Sequence, residues 1–213
     1  MKYKYILFDL DGTLTDSQEG ITKCVQYALR SFGIEEKCEN LTCFIGPPLR
    51  DMFSSKYGID GEAATQKYRE RFSTVGLFEN RVYDGIPSLL GELKNNGATL
   101  AVATSKPEVY SRRILDKFDL SRYFDVIVGC NLDGSREKKS EVIAEALNQL
   151  GCPEKSSVIM VGDRHHDVEG ASENGISTVG VDYGFSGPGE LESAGAISVV
   201  KSVDELRKAL IGD

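Results

Sequence analysis

Nowhere in the chain do eighteen apolar residues run together, so a membrane-spanning helix is excluded. Positive charge is also scarce, with Lys and Arg numbering 25 against 33 Asp and Glu. The resulting net charge of -8 argues against a nucleic-acid backbone or an anionic membrane surface as partner. Five cysteines, Cys24, Cys38, Cys43, Cys130 and Cys152, are odd in number and lack C-x-x-C spacing. That pattern disfavours a disulfide framework or a zinc site and suits free thiols in a reducing cytosol. Internal repeats and low-complexity tracts are missing as well. Lys2 and Lys4 precede only a short apolar run before Asp9, too little for a signal peptide, and a cytoplasmic protein is expected.

What the chain does have is 213 residues, enough for one large domain or for a core domain with a smaller insertion. Strand-like runs recur at residues 5–8, 99–103, 126–128, 158–161, 177–181 and 197–199. Amphipathic stretches lie between the later ones, the βαβ rhythm of a doubly wound parallel α/β sheet of Rossmann-like type. Between residues 15 and 80 no strand pattern appears. There Ile21, Val25, Ala28, Leu29 and Phe32 repeat at helical spacing, and a second long helix is expected over 62–78. The segment reads as a helical cap domain, residues 15–80, inserted into a core formed by 1–14 and 81–213.

Three strands end in polar groups, and ligands of open parallel sheets bind beyond the carboxyl ends of strands. The first run ends in Asp9-Leu10-Asp11-Gly12-Thr13. Strand alternation places Asp9 and Asp11 on one side, and Gly12 permits an immediate turn. The second ends in Thr104-Ser105-Lys106, read as hydroxyls and N–H groups where a helix begins, a setting for an anion. The third ends in Gly162-Asp163, with Asp167 four residues on. Asp163 could complete a Mg2+ site with an oxygen of Asp9 and the backbone carbonyl of Asp11, while Asp167 orients the metal's waters or neighbouring cations. Either Lys138 or Lys139 could reach a phosphate oxygen and the carboxylate together.

An aspartate is ionised at neutral pH and can attack phosphorus without a base, but it repels a phosphate. At about 4 Å and an effective dielectric near 20, each pair of unit charges costs roughly 4 kcal/mol. Such a nucleophile therefore needs both a metal and a basic side chain. The adjacent His165 and His166 are read as structural, because neighbouring residues rarely face one ligand and the nearby acids suit magnesium better than zinc.

Taken together, Asp9-x-Asp11-Gly-Thr13, Thr104-Ser105-Lys106, Lys139 and Gly162-Asp163-x-x-x-Asp167 resemble the four ordered motifs of the haloacid dehalogenase superfamily, in its phosphoglycolate-phosphatase-like branch. Tyr83-Asp-Gly-Ile-Pro87 extends the likeness, and Gly46-Pro47-Pro48-Leu49-Arg50 resembles the substrate-facing loop of a helical cap. The resemblance implies Asp9 as nucleophile forming an aspartyl-phosphate, and Asp11 as general acid and then base. It implies Thr104 and Lys139 on the phosphoryl group, the latter because Lys139-Ser-Glu-Val-Ile143 matches the family's frame. Ser105, commonly asparagine in this branch, stands beside them, and Arg50 is assigned to the distal part of the substrate. Magnesium would be held by Asp9, the Asp11 carbonyl and Asp163. The presence of Asp11 disfavours a dehalogenase.

The expected activity is a Mg-dependent phosphomonoesterase acting on a small phosphorylated metabolite, phosphoglycolate phosphatase-like or 5′-nucleotidase-like, with the cap closing to exclude water. The enzymatic alternative is a sugar-phosphate mutase of the β-phosphoglucomutase type. A more distant one is a non-enzymatic phospho-aspartate signalling module, disfavoured by the inserted helices. A monomer or homodimer is expected.

Overall fold

The computed structural model describes residues 2–133 and 135–212, and the chain divides into two compact units, 1–15 with 82–213 and 16–81. In the first unit, β1 (Tyr5–Phe8), β4 (Thr99–Pro107), β5 (Val126–Cys130), β6 (Val158–Gly162), β7 (Ser177–Val181) and β8 (Ser198–Val200) form a six-stranded sheet in the order β5-β4-β1-β6-β7-β8. Every recorded pairing is parallel. Helices α4 (Ile86–Asn95), α5 (Glu108–Lys117), α6 (Lys139–Gln149), α7 (His165–Glu173), α8 (Glu190–Ala194) and α9 (Val203–Ile211) belong to the same unit. This is the Rossmann-like α/β architecture expected from the strand rhythm.

Strand β1 is the topological pivot. It pairs with β4 on one side (Phe8 opposite Val102) and with β6 on the other (Phe8 opposite Val161). Both of its faces must therefore be apolar: Ile6, Leu7 and Phe8 are fully buried. On one face Leu7, Ala101, Ala103 and Met160 pack against Val142 and Ile143 of α6. The small side chains of Ala101 and Ala103 leave room for that helix close to the sheet. Consequently the carboxyl ends of β1, β4 and β6 lie next to one another at the crossover point where such sheets bind ligands.

The second unit contains α1 (Gln18–Ser31), α2 (Leu49–Tyr57) and α3 (Gly61–Phe72), with short 3-10 turns at Cys38–Phe44 and Gly76–Phe78. Ile21, Val25, Ala28 and Leu29 are buried along α1 as their spacing requires, while Phe32, just past the helix end, is exposed. Three expectations need correction. The second long helix stops at Phe72 instead of continuing to Phe78, because Thr74 bonds back through its hydroxyl to Glu70 O and Arg71 O and a turn follows. Leu49 and Arg50, the end of the stretch likened to a substrate-facing loop, open a helix, Leu49–Tyr57, in which Phe53 alone is buried, too little apolar pattern to be seen in sequence. The segment also begins and ends in two-residue strands, β2 (Thr15–Asp16) and β3 (Arg81–Val82), which pair with each other as the chain leaves and re-enters the core. Among the described residues no helix is long and apolar enough to cross a membrane.

Candidate active site

Asp9 follows β1 directly; its N–H donates to Val161 O of β6 (2.9 Å), which fixes the backbone as it enters the turn. Lys139, the first residue of α6, is buried, and its ammonium lies 2.7 Å from Asp9 Oδ1 and 2.6 Å from Asp167 Oδ1. Lys138, which precedes the helix, is exposed. The geometry thus separates two lysines that their spacing alone leaves equivalent.

Asp163, the residue after β6, is fully buried. Its Oδ2 accepts from Phe185 N (2.7 Å) and its Oδ1 from the Thr13 hydroxyl at 3.5 Å, both neutral donors. Asp167 stands in the first turn of α7, where its Oδ2 accepts from Arg164 N (3.1 Å). It therefore caps the helix and pairs with Lys139 simultaneously. One oxygen each from Asp9, Asp163 and Asp167 lie within 4.8 Å of one another.

The second strand end departs from expectation. Thr104 and Ser105 are not at a helix start: β4 runs on to Pro107, and α5 begins at Glu108. Register against β5 shifts between Ala103 and Pro107, a bulge that takes up Thr104-Ser105-Lys106. Bulges re-aim side chains next to active sites. Here Thr104 is buried with its hydroxyl accepting from Lys106 N (3.3 Å), Ser105 is partly buried, and Lys106 carries its ammonium to 2.8 Å from Asp11 Oδ2. Lys106 joins the site although the sequence pattern assigns it no role. A basic side chain directly after a polar strand end was the available signal. The other oxygen of Asp11, Oδ1, is buried without a hydrogen-bond partner.

Arg50 belongs to the other unit. It stands exposed in the first turn of α2, within 3.9 Å of Asp51 and 4.0 Å of Glu62.

Charge counting explains the electrostatics. Four carboxylates, Asp9, Asp11, Asp163 and Asp167, face two ammonium groups, Lys106 and Lys139, leaving a formal surplus of two negative charges. Burial, then the charges of Asp167 and Asp9, push the Asp163 carboxyl well above its ordinary range. Asp167 is also pushed up, by burial, although Lys139 opposes it. Burial lowers the Lys139 pKa, but Asp167 and Asp9 outweigh it and the net shift is upward, so the lysine stays charged. The uncompensated charge therefore rests on the carboxylates. Uncompensated buried carboxylates are costly, and an oxygen-only donor set with a surplus of two suits a hard divalent cation.

Space around these acids is held open by glycine. Gly12 has φ +84°, and a Cβ there would overlap Asp163 Oδ2. Gly12→Ala is expected to cost about 2 kcal/mol or more through strain and displacement of Asp163. Thermal melts with and without Mg2+ check this: the variant should melt lower and lose any stabilisation by the ion. A wild-type melting curve and metal response would contradict it.

Compared with known proteins, residues 6–181 match the profile of the haloacid dehalogenase-like hydrolases. The chain belongs to that family. A 5′-nucleotidase of Pseudomonas aeruginosa is 47% identical over 99% of this chain and 96% of its own length. The tyrosine-protein kinase PtkA of Mycobacterium tuberculosis is 42% identical over 96% of this chain and 72% of its own. A crystal structure described as a predicted phosphatase from Clostridium acetobutylicum superposes with a TM-score of 0.94 at 49% identity, covering 99% of each chain. Within the haloacid dehalogenase-like hydrolases, this chain is an enzyme of the phosphatase class.

Proposed function

We propose that the protein is a magnesium-dependent phosphomonoesterase that works through an aspartyl-phosphate on Asp9, with a small phosphorylated metabolite, a phosphoglycolate or a 5′-nucleotide, as substrate. The observation that carries this reading is the buried Lys139 ammonium, 2.7 Å from Asp9 and 2.6 Å from Asp167, at the edge of a cluster with excess negative charge. Without such compensation a carboxylate and a phosphate dianion would repel by several kcal/mol.

Asp9, Asp163 and the Asp11 carbonyl would hold the ion, with Asp167 in reach of it. Magnesium bound there would cancel the surplus charge and take up a phosphoryl oxygen. Asp9 attacks phosphorus, and the bond to the leaving oxygen breaks as Asp11, in its protonated form, delivers its proton to that oxygen. Water then attacks the aspartyl-phosphate and loses a proton to the Asp11 carboxylate, and inorganic phosphate departs with Asp9 and protonated Asp11 restored. Lys106 fixes one oxygen of Asp11 while the unpartnered Oδ1 is available for the proton. Thr104 and Ser105 donate hydroxyl bonds to the phosphoryl group. Unaided phosphate-monoester hydrolysis is so slow that enzymes supply up to about 10²¹-fold acceleration, so lysine, acid and metal must act together.

A screen of phosphoglycolate, nucleoside monophosphates and sugar phosphates, with and without Mg2+, tests the proposal. Release of inorganic phosphate from at least one of them, only with the ion, is expected. No phosphate release, or isomerisation of glucose phosphates without it, would overturn it.

Asp163→Asn should abolish the Mg2+ dependence and lower the rate at least about 100-fold, while the metal-free protein becomes more stable at neutral pH. The sign follows from the raised carboxyl of Asp163. A folded-state pKa above the unfolded value contributes stability below the ordinary carboxylate range and loses it as pH rises through the raised value. A metal titration unchanged from wild type would remove Asp163 from the ligand set.

Arg50 is proposed to read the distal part of the substrate. Arg50→Ala should reorder the substrates while leaving hydrolysis of p-nitrophenyl phosphate within about threefold. An unaltered ranking would dismiss this role.

A further inference from the structure

His165 and His166 take no part in the chemistry above. Adjacent residues seldom face one ligand, yet the two rings lie with centroids 3.8 Å apart and planes tilted by 46°. Glu169 sits four residues after His165 and three after His166, the two spacings that meet on a helix surface. One potential ligand atom from each of the three lies within 4.8 Å of the others.

A fourth residue orients the group. His165 Nδ1 is 2.7 Å from Glu190 Oε1, and the same oxygen accepts from His165 N (2.9 Å) and Arg164 Nε (2.8 Å). Gly187 N holds the other oxygen of Glu190 at 2.9 Å. A carboxylate oxygen placed against Nδ1 favours the proton on that nitrogen and leaves the lone pair on Nε2. That is how metal-ligating histidines are fixed in tautomer and orientation.

We propose that His165, His166 and Glu169 form a second metal site, a two-histidine, one-carboxylate centre for a borderline divalent ion of the zinc class, with Glu190 positioning His165. Imidazoles select such ions over magnesium, whereas the Asp9–Asp163–Asp167 cluster offers oxygen alone. Tetrahedral zinc with bonds of about 2.0–2.1 Å needs ligand atoms about 3.4 Å apart. Glu169 is exposed and can rotate to close the remaining gap. The site would keep one position open to water. It is independent of the proposed phosphatase reaction.

The chain contains only two histidines, so imidazole 15N NMR reads the site directly and is blind to zinc taken by cysteines. Zn2+ would be titrated into the full, untagged, 15N-histidine-labelled chain with Mg2+ in excess. One nitrogen of each ring should move to a metal-bound shift at one equivalent. Glu169→Gln, at an exposed position, should weaken the titration about tenfold or more, and Glu190→Gln about 10- to 100-fold. Unmoved imidazole signals, a shift in one ring alone, or unchanged affinity in Glu169→Gln would each overturn the proposal. Phosphatase activity is not the readout, so its presence or absence leaves the outcome unaffected.

Discussion

Asp9→Asn is expected to leave the fold intact and to lower kcat by about 10⁴-fold or more. The amide keeps the size of the carboxylate and can still accept from Lys139, so packing around β1 persists. What disappears is the anionic oxygen proposed to bond to phosphorus. The substitution also removes one of the three clustered negative charges, and the metal-free variant should melt no lower than wild type. Initial rates with p-nitrophenyl phosphate, alongside circular-dichroism melts, provide the check. Activity within tenfold of wild type would remove Asp9 from the role of nucleophile.

Lys139→Met should be the most destabilising single change in the site, costing about 3–5 kcal/mol. The side chain is 6% exposed, and its loss leaves Asp9 and Asp167 facing each other and Asp163 without an ammonium group between them. Methionine has nearly the volume of lysine, so cavity formation is a minor part of the effect. Because the penalty is electrostatic, Mg2+ should recover a portion of the lost stability even where turnover stays absent. Urea denaturation at several Mg2+ concentrations measures this. Loss of less than about 0.5 kcal/mol, or a loss insensitive to the ion, would show that the buried charges are not what Lys139 compensates.

Much of this arrangement was legible in the sequence because it depends on local rules. Three residues of unbroken apolar character before Asp9 require a strand buried on both faces, and Asp9 follows where that strand ends. The same logic reaches Asp163 after β6. Lys106 escaped because its position depends on the bulge between Ala103 and Pro107, whose two additional residues exist only relative to the register of β5. Strand pairing of that sort is a tertiary fact. The choice between Lys138 and Lys139 likewise depends on where α6 starts, and a helix shifted by one residue would exchange them. Helix α2 was hidden because a surface helix with one buried residue carries little periodic signal, and Pro47-Pro48 before it resembles a loop. The facing of His165 and His166 is set by the first turn of α7 and by Glu190 from α8, a contact 25 residues away in the chain.

The order of effects also follows from charge. Burial, together with the neighbouring carboxylates, makes Asp163 resist ionisation, the carboxylates of Asp167 and Asp9 hold Lys139 protonated, and the surplus of two negative charges is what a bound divalent ion would relieve. A neutral substrate would gain nothing from such a site. A phosphate dianion would need both a cation at the carboxylates and the ammonium of Lys139.

The central claim, covalent capture of phosphorus by Asp9, can be read from a single trapping measurement. The enzyme is mixed with p-nitrophenyl phosphate and Mg2+, quenched in acid within the first turnovers, and reduced with borohydride, which converts an aspartyl-phosphate to homoserine. Peptide mass spectrometry should find homoserine at position 9 and at no other aspartate, dependent on Mg2+ and absent from Lys139→Met. Steady turnover of the substrate with aspartate 9 recovered entirely unmodified, or with homoserine at position 11, 163 or 167, would contradict the account.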